Sequence, residues 1–215
     1  MKFFLDTAHL DDIREATERG LCDGVTTNPS LLAKEDGDPR EIVREIAKIV
    51  DGPVSAEVIS TETDGMVREG LEWAKLASNI VVKVPMTMDG LKAIRIFSAQ
   101  DVATNCTLIF NAMQALAAAK AGATMVSPFV GRLDDIQSPG MELVGQILRI
   151  FEHYTISSEV IVASVRGPMH ALEAAQMGAD IATIPWAQLQ AMLRHPLTDI
   201  GIERFLSDWE KIKER

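Results

Sequence analysis

The residue whose position most directly suggests chemistry is Lys83, which lies in the run Ile80-Val81-Val82-Lys83-Val84-Pro85. The β-branched residues around it predict a buried strand of a parallel sheet, because helices cover both faces of such a sheet. Burial disfavours the charged ammonium form of a lysine, and a neutral amine attacks carbonyl carbon to form a Schiff base. A strand-end lysine can also reach water or pair with a carboxylate, so the rest of the chain must decide.

Other residues that could take part in such chemistry recur near the ends of short apolar segments. Two of them are acids, Asp6 and Glu57, and two are arginines, Arg132 and Arg166. Arginine presents a planar fork that suits phosphate oxygens, although surface pairing with Asp134 or Asp135 is an alternative for both. The remaining members carry hydroxyl or amide groups: Thr26, Asn28, Asn105, Thr107, Ser127 and Ser164.

The elements that must position these residues alternate between strand-like and helix-like patterns along the whole chain. Helix signals follow the strands: Asp38-Pro39 begins a helix closed by Gly52, Asn111 begins one that ends at Gly122, and Pro168 begins one that ends at Gly178. Eight short strands are predicted, near residues 2–6, 23–27, 54–59, 80–84, 103–108, 123–128, 159–164 and 180–184.

Eight such units in 215 residues predict an α/β fold with one domain, residues 1–215, built as a closed (β/α)8 TIM barrel. An open, doubly wound sheet is the alternative. A barrel places its chemistry at the carboxyl ends of the strands, where the polar residues occur. The last helix, from about 198 to 213, brings Ile202, Phe205, Leu206 and Trp209 to helical spacing. Packing on its own barrel and contact with another copy both remain open for that helix.

Side-chain alternation sharpens the prediction for Lys83. Val81 shares its face of the strand, whereas Val82 and Val84 face the surrounding helices. A Lys83 that points into the barrel meets Asp6 and Glu57, which point inward from other strands. Barrel interiors are normally filled by branched apolar side chains, so this cluster indicates function. A buried salt-bridge network among the three is the structural alternative.

Composition excludes several classes of partner. The formal net charge is −10, which argues against nucleic acid, because phosphate backbones need a basic footprint. No secretory signal follows Met1 and no apolar run could cross a bilayer, so we expect a cytoplasmic protein without a membrane partner. Cys22 and Cys106 lie far apart, and the four histidines have no ligand spacing, so no metal site is predicted.

Five segments together closely resemble the transaldolase family, in its short single-domain branch. They span nearly the whole chain in register with the predicted strands: DGVTTNPSL at 23–31, VKVP at 82–85, NCTL at 105–108, SPFVGR at 127–132 and ASVR at 163–166. The resemblance implies a barrel of class I aldolase type, with Lys83 as the Schiff-base lysine on the fourth strand. It implies a reaction that needs no metal or organic cofactor.

Two positions separate this family from its sister group, the fructose-6-phosphate aldolases. Transaldolases resemble this chain in having glutamate at position 57 and phenylalanine at 129, where the aldolases typically have glutamine and tyrosine. Two departures concern the rim. Gly167 follows Arg166 where relatives often carry Asn or His, and Trp186 follows Pro185 where a smaller residue is usual. These departures leave acceptor preference open.

The resemblance also implies roles for the polar residues. Lys83 would carry the imine, Asp6 would take a proton from the C4 hydroxyl, and Glu57 with Thr107 would hold a proton-shuttling water. A dihydroxyacetone unit would pass from fructose 6-phosphate or sedoheptulose 7-phosphate to erythrose 4-phosphate or glyceraldehyde 3-phosphate. Binding of the sugar and its phosphate would fall to Thr26, Asn28, Asn105, Ser127, Phe129, Arg132, Ser164 and Arg166.

Three other functions remain open from the sequence. One is an aldolase that releases free dihydroxyacetone, a second is a sugar-phosphate-binding barrel without turnover, and a third is a pyridoxal phosphate barrel. Small phosphorylated sugars are the expected ligands in the first two. Relatives of the short type form rings of five and face-to-face pairs of rings, so the resemblance implies a homo-oligomer, a pentamer or a decamer.

Overall fold

A computed structural model describes residues 1–213 and contains a closed barrel of eight parallel strands, each paired with its neighbours in chain order. The predicted (β/α)8 barrel is therefore confirmed, and the open sheet is wrong because the first strand pairs with the eighth. All eight predicted strands are present: Lys2–Asp6 (β1), Gly24–Thr26 (β2), Val54–Glu57 (β3), Ile80–Pro85 (β4), Thr104–Ile109 (β5), Met125–Pro128 (β6), Glu159–Val162 (β7) and Ile181–Ile184 (β8).

Helices surround the barrel, and short extra helices follow β2 and β6. Their bounds are Leu10–Glu18 (α1), Pro29–Leu32 (α2), Pro39–Ile49 (α3), Thr63–Ala74 (α4), Met88–Ser98 (α5), Ala112–Ala121 (α6), Val130–Asp134 (α7), Gly140–His153 (α8), Pro168–Met177 (α9), Trp186–Met192 (α10) and Pro196–Lys213 (α11).

The barrel interior has an apolar layer below its polar end. Phe4, Val81, Met125, Ile161 and Ile181 form this layer, and all five are buried. Neighbours of Val81 on β4 turn the other way and pack under the helices with residues of α5 and α6, as alternation predicts. The interior is therefore an ordinary packed core at one level, and polar side chains replace it only toward the carboxyl ends of the strands.

The helix signals identify α6 correctly and α3 less well. At the start of α6, the Asn111 side chain accepts from the backbone N–H of Gln114, and the Gln114 side chain accepts from the backbone N–H of Asn111, which forms a capping box. Gly122 ends α6 in a left-handed conformation. Helix α3 ends at Ile49, before the predicted Gly52. Gly52 has another reason to be glycine: a Cβ there would lie 1.9 Å from the backbone oxygen of Asp23.

Strand β5 departs from regular geometry beside the polar end of the barrel. Its register with β6 shifts between Cys106 and Ile109, and Leu108 has a φ of +59°. A left-handed leucine costs about 1–3 kcal/mol, which the surrounding structure must offset. Leu108 lines the same cavity as Lys83, although period-two alternation would place it on the opposite face of β5.

Helix α11 contributes no buried residue to the fold. The four apolar side chains expected on one face, Ile202, Phe205, Leu206 and Trp209, are all more than half exposed. Packing of this helix on its own barrel is therefore wrong. Within residues 1–213, no helix combines the length and apolarity that a bilayer span requires.

Candidate active site

Lys83 lies at the centre of the polar end of the barrel. Its neighbours in register are Glu57 on β3 and Asn105 on β5. The ammonium nitrogen lies 3.0 Å from Glu57 Oε2 and donates a 3.1 Å hydrogen bond to the backbone oxygen of Thr27. Only 5% of the Lys83 side chain and 15% of the Glu57 side chain are exposed. The structure thus brings Lys83 and one predicted acid, Glu57, together in an ion pair that is largely shielded from solvent.

Asp6 approaches the same point from β1. Its Oδ1 accepts a 2.9 Å hydrogen bond from Thr26, whose hydroxyl oxygen lies 2.6 Å from that of Thr183. Burial raises the pKa of Asp6 above its ordinary 3.8, against the opposing influence of Lys83 and the hydrogen bond from Thr26. A carboxyl that holds a proton more tightly than usual is suited to accept one from a substrate hydroxyl.

Asn105 lies beneath the site in a chain of buried hydrogen bonds. Its side-chain nitrogen donates to Ser55 at 3.2 Å, and its side-chain oxygen accepts from Ser127 at 2.7 Å. Asn105 is fully buried and does not line the cavity that Lys83 faces, whereas Ser127 does line it. In this structure, Asn105 orients Ser127.

Thr107 is also fully buried, and its hydroxyl has no hydrogen-bond partner. A buried hydroxyl without a hydrogen-bond partner costs about 1–3 kcal/mol of folding free energy. Such a group is therefore suited to bind a water molecule or a ligand atom. Thr107 does not line the cavity itself. Its position is next to the irregular Leu108 at the end of β5, two residues beyond Asn105.

A cavity of about 550 Å³ opens at the carboxyl ends of the strands. The sequence predicts twelve site residues, and ten of them line this cavity. The other two, Asn105 and Thr107, are buried behind the cavity wall. Those ten are Asp6, Thr26, Asn28, Glu57, Lys83, Ser127, Phe129, Arg132, Ser164 and Arg166.

The two arginines stand on neighbouring parts of the rim. The Arg132 guanidinium lies 5.2 Å from the centre of the Phe129 ring, which it faces in a cation–π contact. Arg166 pairs with Asp135 at 2.7 Å, as one sequence-based alternative predicted, yet it also lines the cavity. Because both members of this pair are more than half exposed, the pair is worth little in stability and leaves the arginine available.

Two further predicted residues are held by local backbone geometry. Asn28 caps α2, because its side-chain oxygen accepts from the backbone N–H of Leu31 at 3.0 Å. Ser164 follows β7 with a φ of +60°, and its backbone oxygen accepts from the N–H of Gly131. Non-glycine residues in this conformation concentrate at functional sites.

Nine residues that line the cavity lie outside the predicted set, and three of them bear most on its chemistry and shape: Lys34, Thr183 and Leu108. Thr183 shares the inward face of β8 with Ile181, so alternation could have found it. Lys34 comes just after α2, where no periodic signal exists, and its charge favours the ionised form of Asp6. Leu108 could not be found from alternation because the register between β5 and β6 shifts there.

The two departures from the family pattern lie outside the cavity wall. A Cβ added at Gly167 would meet only the side-chain oxygen of Gln188, at 3.9 Å, so the site has room for a larger residue. Trp186 is buried in the core at the start of α10, and the rim at that point is formed by Pro185.

Comparison with known proteins agrees with this geometry. Residues 3–215 match the family model described as Transaldolase/Fructose-6-phosphate aldolase. The chain belongs to this family. It is 60% identical to the probable transaldolase of Desulfosudis oleivorans and 61% identical to that of Thermodesulfovibrio yellowstonii, in each case over 214 residues and the full length of both chains. A probable transaldolase of Methanococcus maripaludis is 60% identical over 210 residues, 98% of each chain.

Family membership makes this chain an enzyme of the aldolase and transaldolase type. A buried amine lies beside one carboxylate, a second carboxyl with a raised pKa faces the same space, and two guanidinium groups stand on the rim. Among residues 1–213, no three His, Cys, Asp or Glu side chains converge in a way that could ligate a metal ion.

Proposed function

We propose that this protein is a transaldolase that moves a dihydroxyacetone unit between sugar phosphates through a Schiff base on Lys83. The observation that carries the proposal is the pairing of Lys83 with Glu57 at 3.0 Å on the wall of a cavity whose rim bears two arginines. The amine can lose a proton to its own neighbour without involving bulk water. A barrel that only bound sugar phosphates would have no use for that arrangement.

Lys83 attacks the C2 carbonyl of a ketose phosphate, and the carbinolamine loses water to give a protonated imine. Asp6 then takes the proton of the C4 hydroxyl, the C3–C4 bond breaks, and its electron pair moves to the iminium nitrogen. The aldose phosphate leaves, and a three-carbon enamine remains on Lys83. A second aldose phosphate accepts this unit at its aldehyde carbon, and the same steps run in reverse.

Proton movement during imine formation is assigned to Glu57 and a water held by Thr107. The support is the buried Thr107 hydroxyl, which has no protein partner and therefore has its hydrogen-bonding capacity free. Glu57 accepts the proton that the amine loses and returns it, by way of the water, to the departing hydroxyl of the carbinolamine. General acid–base assistance of this kind contributes about 10²- to 10⁴-fold.

The phosphate is assigned to Arg132 and Arg166. Guanidinium groups bind phosphate oxygens in pairs of hydrogen bonds, and these two stand at adjacent points on the rim, after β6 and β7. Asn28, Ser127 and Ser164 line the same cavity as the arginines and Lys83 and are assigned to the sugar hydroxyls.

Transfer is favoured over release of free dihydroxyacetone by two residues of the wall, Glu57 and Phe129. Phe129 offers the enamine no hydroxyl proton, and its ring packs edge-on against Phe110 at 5.9 Å and under Arg132. An enamine that is not protonated survives until an acceptor aldehyde arrives. The relatives compared above, which are named probable transaldolases, agree with this choice.

A coupled assay with fructose 6-phosphate, with and without erythrose 4-phosphate, tests the proposal. Glyceraldehyde 3-phosphate that forms only with the acceptor supports transaldolase. Glyceraldehyde 3-phosphate and dihydroxyacetone without the acceptor would make the protein an aldolase. Borohydride with fructose 6-phosphate should attach sugar to Lys83 but not to Lys2, which pairs with Glu159 at 2.7 Å at the other end of the barrel. No attachment would leave only a binding protein.

We also propose that the chain forms a cytoplasmic homo-oligomer, a pentamer or a decamer, that works in the non-oxidative pentose phosphate pathway. The support for assembly is α11, an 18-residue helix that buries none of its residues in one chain. Most of the stability of a helix in a protein comes from packing of its apolar face rather than from intrinsic propensity, so a partner surface is expected. The cytoplasm is supported by free thiols at Cys22 and Cys106.

A further inference from the structure

The loop between β7 and α9, which bears Arg166, is held by a histidine that the proposed mechanism does not use. His170, in the first turn of α9, accepts a 3.2 Å hydrogen bond at Nδ1 from the backbone N–H of Arg166. Its other ring nitrogen, Nε2, lies 2.9 Å from Oδ2 of Asp134 on α7. The ring is largely buried, with 18% of the side chain exposed.

These two contacts fix the hydrogen on the imidazole ring. Nδ1 can accept only when it carries no hydrogen, so the ring hydrogen lies on Nε2 and points at Asp134. The Asp134 carboxylate is itself anchored, because its Oδ1 accepts from the backbone N–H of Gly140 at 2.9 Å. A chain of three hydrogen bonds therefore runs from the start of α8 through α7 and α9 to the backbone of Arg166.

The side chain of Arg166 is held by the segment of α7 and the residue that ends it. Asp135 accepts from its guanidinium at 2.7 Å. Gly131 lets the side chain pass, since a Cβ at that position would lie 2.5 Å from Nε and 2.7 Å from Cγ of Arg166. Helix α7 follows Phe129 and contains Arg132. The two rim arginines are therefore tied to one structural unit rather than to independent loops.

We propose that His170 is a positioning residue: its Nδ1 holds the backbone N–H of Arg166, while Asp134 only orients the imidazole ring, so that the guanidinium groups of Arg166 and Arg132 meet one phosphate group. The proposal rests on the phosphate role assigned above to the two arginines. It concerns affinity for the phosphate end of a ligand and leaves the chemistry at Lys83 untouched. His170 contacts no reacting atom and does not line the cavity.

The two ring nitrogens can be tested separately, because Asn and Gln each reproduce one of them. His170→Asn puts an acceptor oxygen at the distance of Nδ1 and loses the contact with Asp134. His170→Gln reaches toward Asp134 and leaves the Arg166 N–H without its partner. His170→Leu removes both contacts while it keeps a side chain of similar bulk. His153→Gln, on the exposed end of α8, is the matched control.

The probe is glucitol 6-phosphate, which has the phosphate and hydroxyls of the donor but no carbonyl, so it cannot form an imine. Its dissociation constant is measured by titration calorimetry. We expect His170→Asn and His153→Gln to bind as the wild type does. We expect His170→Gln and His170→Leu to bind roughly three- to tenfold more weakly, which is the effect of one lost hydrogen bond. In turnover, KM for fructose 6-phosphate should rise by the same factor with kcat little changed.

Equal affinity of the wild type and the Gln variant for glucitol 6-phosphate would overturn the positioning role. A loss of affinity as large in His170→Asn as in His170→Gln would overturn it too, since it would assign the effect to general packing. Borohydride trapping with dihydroxyacetone, which has no phosphate, separates this test from the proposed function. A wild type that binds glucitol 6-phosphate but traps no dihydroxyacetone would refute the Schiff base and leave the positioning of Arg166 standing.

Discussion

The Lys83 amine and the Glu57 carboxylate lie 3.0 Å apart on adjacent strands, at positions that pair directly in the β3–β4 register. A second lysine–glutamate pair, Lys2 and Glu159, lies 2.7 Å apart at the opposite end of the barrel, and there both side chains are about one-third to one-half exposed. The first pair faces the cavity and is nearly dry, whereas the second faces water. The exposed pair therefore serves as a control: an effect seen only when the cavity-facing pair is changed comes from its position at the cavity and not from the presence of a lysine–glutamate pair.

Glu57→Gln should slow imine formation about 10²-fold, because glutamine cannot take the proton that the Lys83 amine loses. The measurement is the rate at which borohydride traps fructose 6-phosphate on the protein. Glu159→Gln serves as the control and should leave the rate unchanged. A Glu57→Gln variant that traps substrate at the wild-type rate would show that another group moves the proton.

The same pair makes a prediction about stability. Lys83→Met leaves the nearly buried Glu57 carboxylate without its partner. This should lower the free energy of unfolding by about 3 kcal/mol. The value is at the lower end of the usual range because the Glu57 side chain keeps 15% exposure. Adding Glu57→Gln should restore most of the loss. Urea unfolding of the wild type, Lys83→Met, Glu57→Gln and the double variant gives the four free energies of unfolding. Additive effects would mean that the pair is not coupled.

Asp6→Asn should separate imine formation from carbon–carbon cleavage. Asparagine keeps an oxygen for the hydrogen bond from Thr26 but cannot accept the C4 hydroxyl proton. Borohydride should therefore still trap fructose 6-phosphate on Lys83, while release of glyceraldehyde 3-phosphate falls by about 10²-fold or more. Retained cleavage would assign the base to another residue.

The pH dependence of stability gives an independent check on Asp6. Its pKa is raised in the folded protein, so the stability that this group contributes is present below its ordinary value of 3.8 and is lost as the pH rises through the folded value. Asp6→Asn should therefore unfold at higher urea concentration than the wild type near pH 7, and the difference should shrink as the pH falls toward about 4. A difference that grows on acidification would show that the pKa is lowered instead.

The barrel itself could be predicted from the sequence because its signals are local. Caps such as Asn111 and the alternation around Lys83 each depend on a few adjacent residues, and they agree with the closed sheet. The inward orientation of Glu57 followed from the same alternation. Irregular strand geometry is outside the reach of that pattern. At Leu108 the φ is positive and the register of β5 shifts, and this residue lines the cavity although alternation would place it on the other face.

The contacts of His170 are a second feature outside the reach of the sequence. Its partners, Asp134 and the backbone of Arg166, belong to elements brought together only by closure of the barrel. Lys34 is similar, because it follows a single helical turn with no periodicity. The exposure of Trp209 also required the three-dimensional structure, since an apolar stripe at helical spacing looks the same in sequence whether it packs on its own chain or on a partner.

Exchange of two wall residues should change which product leaves. Glu57→Gln together with Phe129→Tyr adds a hydroxyl near the enamine that can assist its protonation, so water competes better with the acceptor aldehyde. We expect free dihydroxyacetone from fructose 6-phosphate to rise at least about tenfold relative to transfer, which corresponds to about 1.4 kcal/mol in relative barrier heights. If release does not rise, the two positions do not discriminate between the reactions.

The assembly state should depend on α11. Phe205 and Trp209 are 74% and 55% exposed in one chain, on a helix that buries nothing of its own. Replacing both with glutamate places two charges where an apolar partner surface is expected, so analytical ultracentrifugation should show a pentamer or decamer for the wild type and smaller species for the variant. Met113→Glu, which charges an equally exposed apolar position on α6, should leave the assembly intact. A wild type that sediments as a monomer would contradict the prediction, and α11 would then need another partner to cover its apolar side chains.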